Sequence, residues 1–270
     1  MAATKTTLDV NRKRPLAGQT AVVTGAGRGI GRAVAIRFAA AGAAVVCAAR
    51  TRDQIERTVE SIRRAGGKGI AVVTDVRDEQ AVEALGNRSV EAFGTLNIAV
   101  LNAGANPPHA SVEAVPLAVW RETVDTDLTG VFLGIRAAVP HLRAAGGGKI
   151  IVMGSGAWRR APEGLAPHAA TKAAISALVR VAARDLRGYN IAVNELQPGP
   201  TATAMHGVTE SDPDTLADRE VVLEEGLEDD SSITGEWFKS PRSVADVALF
   251  LAGLPNHGPS GQIFSLNSVI

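Results

Sequence analysis

The sequence predicts an α/β fold, a doubly wound parallel sheet of about seven strands with helices on both faces, carried in one domain. Three observations predict it. Short β-branched runs alternate with longer segments of helical spacing; the runs are apolar at nearly every position; and a glycine-rich turn leads from the first run straight into the first helix. The runs lie at 21–24, 43–49, 69–75, 96–102, 148–154 and 190–196, with a late one at 261–266. Strands apolar on both sides must be covered on both faces, which is the condition of a buried parallel sheet. The helical segments are 31–42, 52–66, 78–93, 117–145 and 168–188, with Gly42 placed as a stop for the first. Strand–helix alternation implies right-handed crossovers and helices on both sides of one twisted sheet.

Composition narrows the function. The 270 residues hold 28 Lys+Arg and 28 Asp+Glu, a formal charge of zero. Such a chain offers no net field to phosphate backbones or anionic lipid, so neither nucleic acid nor a membrane is expected as partner. The apolar run 38–49 is too short to span a bilayer, and residues 1–14 read as a polar arm without the apolar stretch of a signal peptide. The single cysteine, Cys47, cannot form an intrachain disulfide, which fits a reducing, cytoplasmic setting. At 46% hydrophobic the chain can bury a large core, read here as one domain over 15–270. The stretch 204–240 breaks the alternation: between Glu210 and Asp230 it carries ten carboxylates and one arginine, and it reads as a lid over a pocket that binds a small molecule.

The first strand ends in Thr24-Gly25-Ala26-Gly27-Arg28-Gly29-Ile30-Gly31. Glycines let a backbone turn tightly and approach a pyrophosphate, and the following helix presents amides and partial positive charge to it. With a strand before and a helix after, the loop reads as a dinucleotide cradle. In such folds an acidic residue ending the second strand binds the ribose hydroxyls of NAD. Here that strand ends Ala48-Ala49-Arg50, with Arg52 nearby and Arg28 in the loop. Guanidinium groups can grip a 2′-phosphate bidentately, so NADP(H) is favoured over NAD(H). The alternative is that Arg50 and Arg52 merely begin a solvated helix. Asp75, followed by Val76 at the third strand's end, could accept from an adenine amine or cap the next helix.

From about Leu16 onward the chain resembles the short-chain dehydrogenase/reductase family. The resemblance rests on Thr24-Gly25-x-x-x-Gly29-x-Gly31, on Asn102-Ala103-Gly104 after the fourth strand, and on Pro198-Gly199 followed by Thr203 after the sixth. It implies a cofactor pocket lined by these segments. It also implies four catalytic positions: a serine holding the substrate oxygen, a tyrosine exchanging its proton, a lysine four residues later bound to the nicotinamide ribose, and an asparagine in the preceding helix. Ser155 and Lys172 match. The tyrosine position holds His168 and the asparagine position Asp127. Tyr189, the chain's one tyrosine, lies roughly 25 Å along the helix axis from Lys172 and is read as a packing residue.

His168 therefore decides the chemistry. Its ring nitrogens reach roughly 2 Å less far than a phenol oxygen, a gap that one water can bridge. Lys172, one turn away, favours a neutral imidazole suited to accepting a proton, whereas Asp127 could pair with Lys172 or stabilise an imidazolium. The leading expectation is an NADP(H)-dependent oxidoreductase acting on a small or medium carbonyl/alcohol. The alternatives are a nucleotide-binding protein without redox turnover, or an isomerase, cyclase or lyase using the same pocket. His109 is read as bordering the pocket, His141 as a helix-end cation and His206 as part of the lid; none has metal-ligand spacing, and no metal is expected. The resemblance further implies a dimer or tetramer formed through helices 117–145 and 168–188. Trp120 and Phe132 are left open between interface and core.

Overall fold

The computed structural model describes residues 14–203 and 239–267. The predicted arm, except Arg14, and the predicted lid over 204–240, except Lys239 and Ser240, with its His206, lie outside the described residues. Seven parallel strands are present: β1 (Thr20–Thr24), β2 (Ala44–Ala49), β3 (Lys68–Val73), β4 (Ile98–Leu101), β5 (Gly148–Met153), β6 (Ile191–Gln197) and β7 (Ile263–Ser265). They are ordered β3-β2-β1-β4-β5-β6-β7. Between them run α1 (Gly29–Ala40), α2 (Arg52–Arg64), α3 (Glu79–Phe93), α4 (Leu117–Thr123), α5 (Gly130–Ala144), the single turn α6 (Ala157–Arg160), α7 (Ala166–Leu186) and α8 (Pro241–Gly253).

Each face of the sheet has its own core. Phe38, Ile55, Ile62, Val244 and Leu251 from α1, α2 and α8 cover one face. Leu85, Ile135, Leu142, Ile175 and Val179 from α3, α5 and α7 cover the other. The strand order reverses between β1 and β4. Val22 of β1 therefore sits between Val46 of β2 and Ala99 of β4, and a crevice opens beyond the carboxyl ends of β1 and β4.

Several expectations change. α1 begins at Gly29 rather than Gly31, while Gly42 (φ +100°) supplies the stop. The helix expected over 117–145 contains a π-helical turn, Val124–Thr129, between α4 and α5. α8, which follows the acidic stretch, was not expected at all; Pro241 opens it and the Ser240 hydroxyl accepts from the Ser243 amide. Tyr189, read as a packing residue, is half-exposed in a 3₁₀ turn (Arg187–Tyr189), its ring 3.9 Å beneath the Arg143 guanidinium. Trp120 and Phe132 are also partly exposed, which excludes the core. No helix among the described residues is long and apolar enough to cross a membrane.

Lys149 is the cation buried deepest in the sheet, 6% exposed, its Nζ donating to Asn256 Oδ1 at 2.6 Å. Desolvation pushes its ammonium down to about 8 from 10.5. Between those values the unfolded chain holds more protons than the folded one, so this group makes stability rise with pH across that window. Urea unfolding of the wild type is expected to gain on the order of 3 kcal/mol across it relative to Lys149→Met. Parallel pH profiles for the two proteins would refute the assignment.

Candidate active site

The crevice is held by one hydroxyl. Thr24 Oγ1, at the end of β1, accepts from the backbone amides of Asn102 (2.9 Å) and Ala103 (3.0 Å), and the Asn102 side chain returns a bond to Thr24 O at 3.0 Å. These three bonds lock the ends of β1 and β4 together at the point where the strand order reverses. Within the loop, Gly25 (φ +66°) and Gly29 (φ +52°) adopt the left-handed region. Gly31 is required for a different reason: a Cβ there would strike the Gly25 carbonyl and come within 2.5 Å of Asn102 Nδ2. Gly27 packs on Gln54, Ala26 O accepts from Thr58 Oγ1 at 2.9 Å, and Ile30 leans on the core beneath. The Arg28 side chain does not cap α1, and Thr203 lies against Gly29. Glycine loop, uncapped helix start and the Thr203 approach fit a dinucleotide's pyrophosphate.

The adenosine end differs in detail from the sequence reading. β2 ends at Ala49 and β3 at Val73, so Arg50 and Asp75 each lie just beyond a strand. Arg50 is exposed, while Arg52 is drawn to Glu56 at 3.4 Å. Asp75 does not cap α3; Asp78 does, accepting from Gln80 and Ala81. Instead Asp75 grips Arg77, whose Nη2 lies 2.6 Å from Oδ2; that bond, reinforced by the Arg77 and Arg50 charges, holds the carboxyl below its usual range. Val76 packs against Gly130 at the start of α5.

The four predicted catalytic residues come from three places that the fold brings together. Ser155 lies two residues beyond β5, where its Oγ accepts from the Ala157 amide at 3.1 Å and keeps its own O–H to donate. Lys172, in α7, donates from Nζ to Met153 O at 3.2 Å, the last carbonyl of β5. Asp127 projects from the π turn and is wholly buried. Its Oδ1 accepts from the Ala105 amide at 2.6 Å. Its Oδ2 lies 3.5 Å from Lys172 Nζ and 3.8 Å from His168 Nδ1, yet receives no direct hydrogen bond. His168 is 16% exposed, and Asn102 through Gly104 border the same crevice, with Gly104 packed on Asp127.

Sequence reasoning missed the supports. Nothing in the sequence signalled the π turn, the Ala105 amide or the Met153 carbonyl. Nor did it signal the buried Glu195, which accepts from Ser176 Oγ at 2.6 Å and Gln197 Nε2 at 2.7 Å and fills the space a side chain at Gly154 would need. His109 is brought beside Gly164, where Ala110 N bonds Gly164 O at 3.1 Å. His141 packs on Gly86 of α3. Pro198 and Gly199 (φ +69°) turn the chain out of β6 toward the glycine loop. Among the described residues no three metal-ligating side chains converge.

A seven-stranded parallel sheet with this loop at its switch point defines a dinucleotide-binding α/β protein. Residues 19–214 match the short chain dehydrogenase family, and the chain belongs to that family of nicotinamide-dependent oxidoreductases. It is 38% identical over 191 residues to cis-4-hydroxycyclohexanecarboxylate dehydrogenase of Sinomonas cyclohexanicum, covering 70% of this chain and 76% of that one. It is 32% identical over 253 residues to 7alpha-hydroxysteroid dehydrogenase of Escherichia coli K12, covering 93% and 94%. Glycine betaine reductase ATRR of Emericella nidulans is 31% identical over 251 residues, but the chain spans only 19% of that protein's length. A solved 7 alpha-hydroxysteroid dehydrogenase complexed with NADH and 7-oxo glycochenodeoxycholic acid superposes with a TM-score of 0.81 at 30% identity, over 95% of this chain and 96% of that one.

Because the Gly31 position abuts a backbone carbonyl, Gly31→Ala has to displace the loop. We expect a loss of about 1–3 kcal/mol of stability together with loss of nucleotide binding, read by thermal melting with and without NADPH. Unchanged melting and binding would show that the loop yields freely.

Proposed function

We propose that this protein is an NADP(H)-preferring oxidoreductase that interconverts a small or medium alcohol and its carbonyl, with His168 in place of the family's usual tyrosine. The observation that carries the reading is the convergence of Lys172 and His168 on one buried carboxylate beside the Ser155 strand end. The residues fit a nicotinamide dinucleotide, which when bound supplies the hydride donor or acceptor. Backbone of Thr24–Gly31, Asn102–Gly104, Asp75–Val76, Pro198–Gly199 and Thr203 would line it, and Lys172 would hold its ribose. Arg28 and Arg50 would meet a 2′-phosphate; the carboxylate of Asp75, just beyond β3, is already engaged by Arg77.

Ser155 donates its hydroxyl to the reacting oxygen, fixing that oxygen at the end of β5. His168 moves the proton, directly or through one water, because an imidazole is the side chain best matched to proton exchange near neutrality. Two of the relatives named above act on a ring-bearing hydroxy acid and on hydroxysteroids by their names, which supports a secondary alcohol on an alicyclic frame as the first substrate class to try.

The test is absorbance at 340 nm against a panel of alicyclic alcohols and ketones. His168→Ala is expected to lower kcat by about 100-fold or more while NADPH affinity stays within about twofold; unaltered turnover rejects the role, and no turnover in the wild type rejects the enzyme reading. Arg50→Ala is expected to cost NADPH about tenfold in affinity and leave NADH unchanged. Equal losses for both cofactors would remove the NADP(H) preference.

A further inference from the structure

Asp127 has one oxygen satisfied and one not. Oδ1 is fixed by the Ala105 amide at 2.6 Å; Oδ2 is buried, accepts no direct hydrogen bond, and has Lys172 Nζ and His168 Nδ1 as its neighbouring donors at 3.5 and 3.8 Å. A buried carboxylate oxygen has to be met by donors. Lys172 already commits one proton to Met153 O. A neutral imidazole donates toward Oδ2 only when Nδ1 carries its hydrogen, because the opposite tautomer would aim a nitrogen lone pair at the carboxylate. A ring nitrogen that donates to a carboxylate also fixes which nitrogen is left to accept.

We propose that Asp127 is a positioning residue that holds His168 as its Nδ1–H tautomer, making Nε2 the nitrogen that exchanges the substrate proton. This rests on the reading of His168 as the proton carrier. In the oxidising direction the substrate O–H bond breaks as an N–H bond forms at Nε2. The carbon's hydride goes to the oxidised nicotinamide cofactor, the freed oxygen pair closes the carbonyl, and the resulting imidazolium lies beside the Asp127 carboxylate. Reduction returns the same proton from the same nitrogen. The arrangement is specific to a carboxylate. In Asp127→Asn the Ala105 amide requires the amide oxygen at the Oδ1 position, so the NH₂ group falls where Oδ2 was and presents hydrogens to Nδ1. That variant keeps the shape and inverts the tautomer.

The experiment is nitrogen-15 NMR of the full-length protein labelled in its histidine rings, with the His168 signals identified by their loss in His168→Gln. The wild type is expected to show a proton-bearing Nδ1 and a bare, pyridine-type Nε2, and Asp127→Asn to show the reverse. In the same variant kcat is expected to fall about 100-fold or more with KM within about threefold. A wild-type His168 protonated on Nε2, or a tautomer indifferent to Asp127→Asn, overturns the proposal, and the first of these needs no variant to fold. The expected tautomers with turnover that survives His168→Ala would uphold the placement and sink the proposed function instead.

Discussion

A carboxylate with no access to water must be answered by donors from the protein, and the donors gathered around Asp127 come from two separate parts of the chain. The Ala105 amide comes from the loop after β4, and the ammonium and imidazole come from successive turns of α7. Lys172 is at the same time tied to the last carbonyl of β5. The two strand ends and the helices that flank the crevice are therefore referenced to one side chain. Removing one partner of a buried charge pair typically costs 3–5 kcal/mol, so Asp127 also ties these elements together.

The nucleotide side obeys a similar economy. Thr24 uses a single hydroxyl to receive two amides from the neighbouring strand end, and Gly31 leaves the space in which Gly25 and Asn102 meet. These contacts are made within the protein and leave the loop already shaped before any ligand arrives, which spares binding the cost of ordering it. Beyond the ends of β2 and β3, by contrast, Asp75 is balanced by Arg77 and Arg50 remains exposed. Polarity there is set by which charges are already paired, not by which are present.

Much of the fold was legible because a strand covered on both faces has to be apolar throughout, as 43–49 and 148–154 are. The glycine loop was legible because backbone freedom leaves its mark in spacing, while Ser155 and Lys172 were legible only through the resemblance to the family. The unread features share a physical cause: they depend on partners distant in sequence or on backbone groups, which carry no residue code. Asp127 was visible as an acid, but its anchor is an amide 22 residues away. Asp75 reads as a ligand acceptor or a cap from its place at a strand end, whereas its partner Arg77, two positions on, is set by the turn that brings the side chains together. α8 follows a carboxylate-rich stretch without helical spacing, and its start is marked only by Ser240-Pro241.

The π turn at Val124–Thr129 amounts to one residue more than a regular helix would accommodate over the same rise. Each helical residue advances the side-chain direction by about 100°. Excising a single residue from this turn would relax it to an ordinary spiral and swing everything on one side of it around the axis, carrying the acid away from the lysine and the imidazole. The reactive geometry is thus encoded partly in chain length, and an alteration that changes no side-chain identity at the crevice could dismantle it.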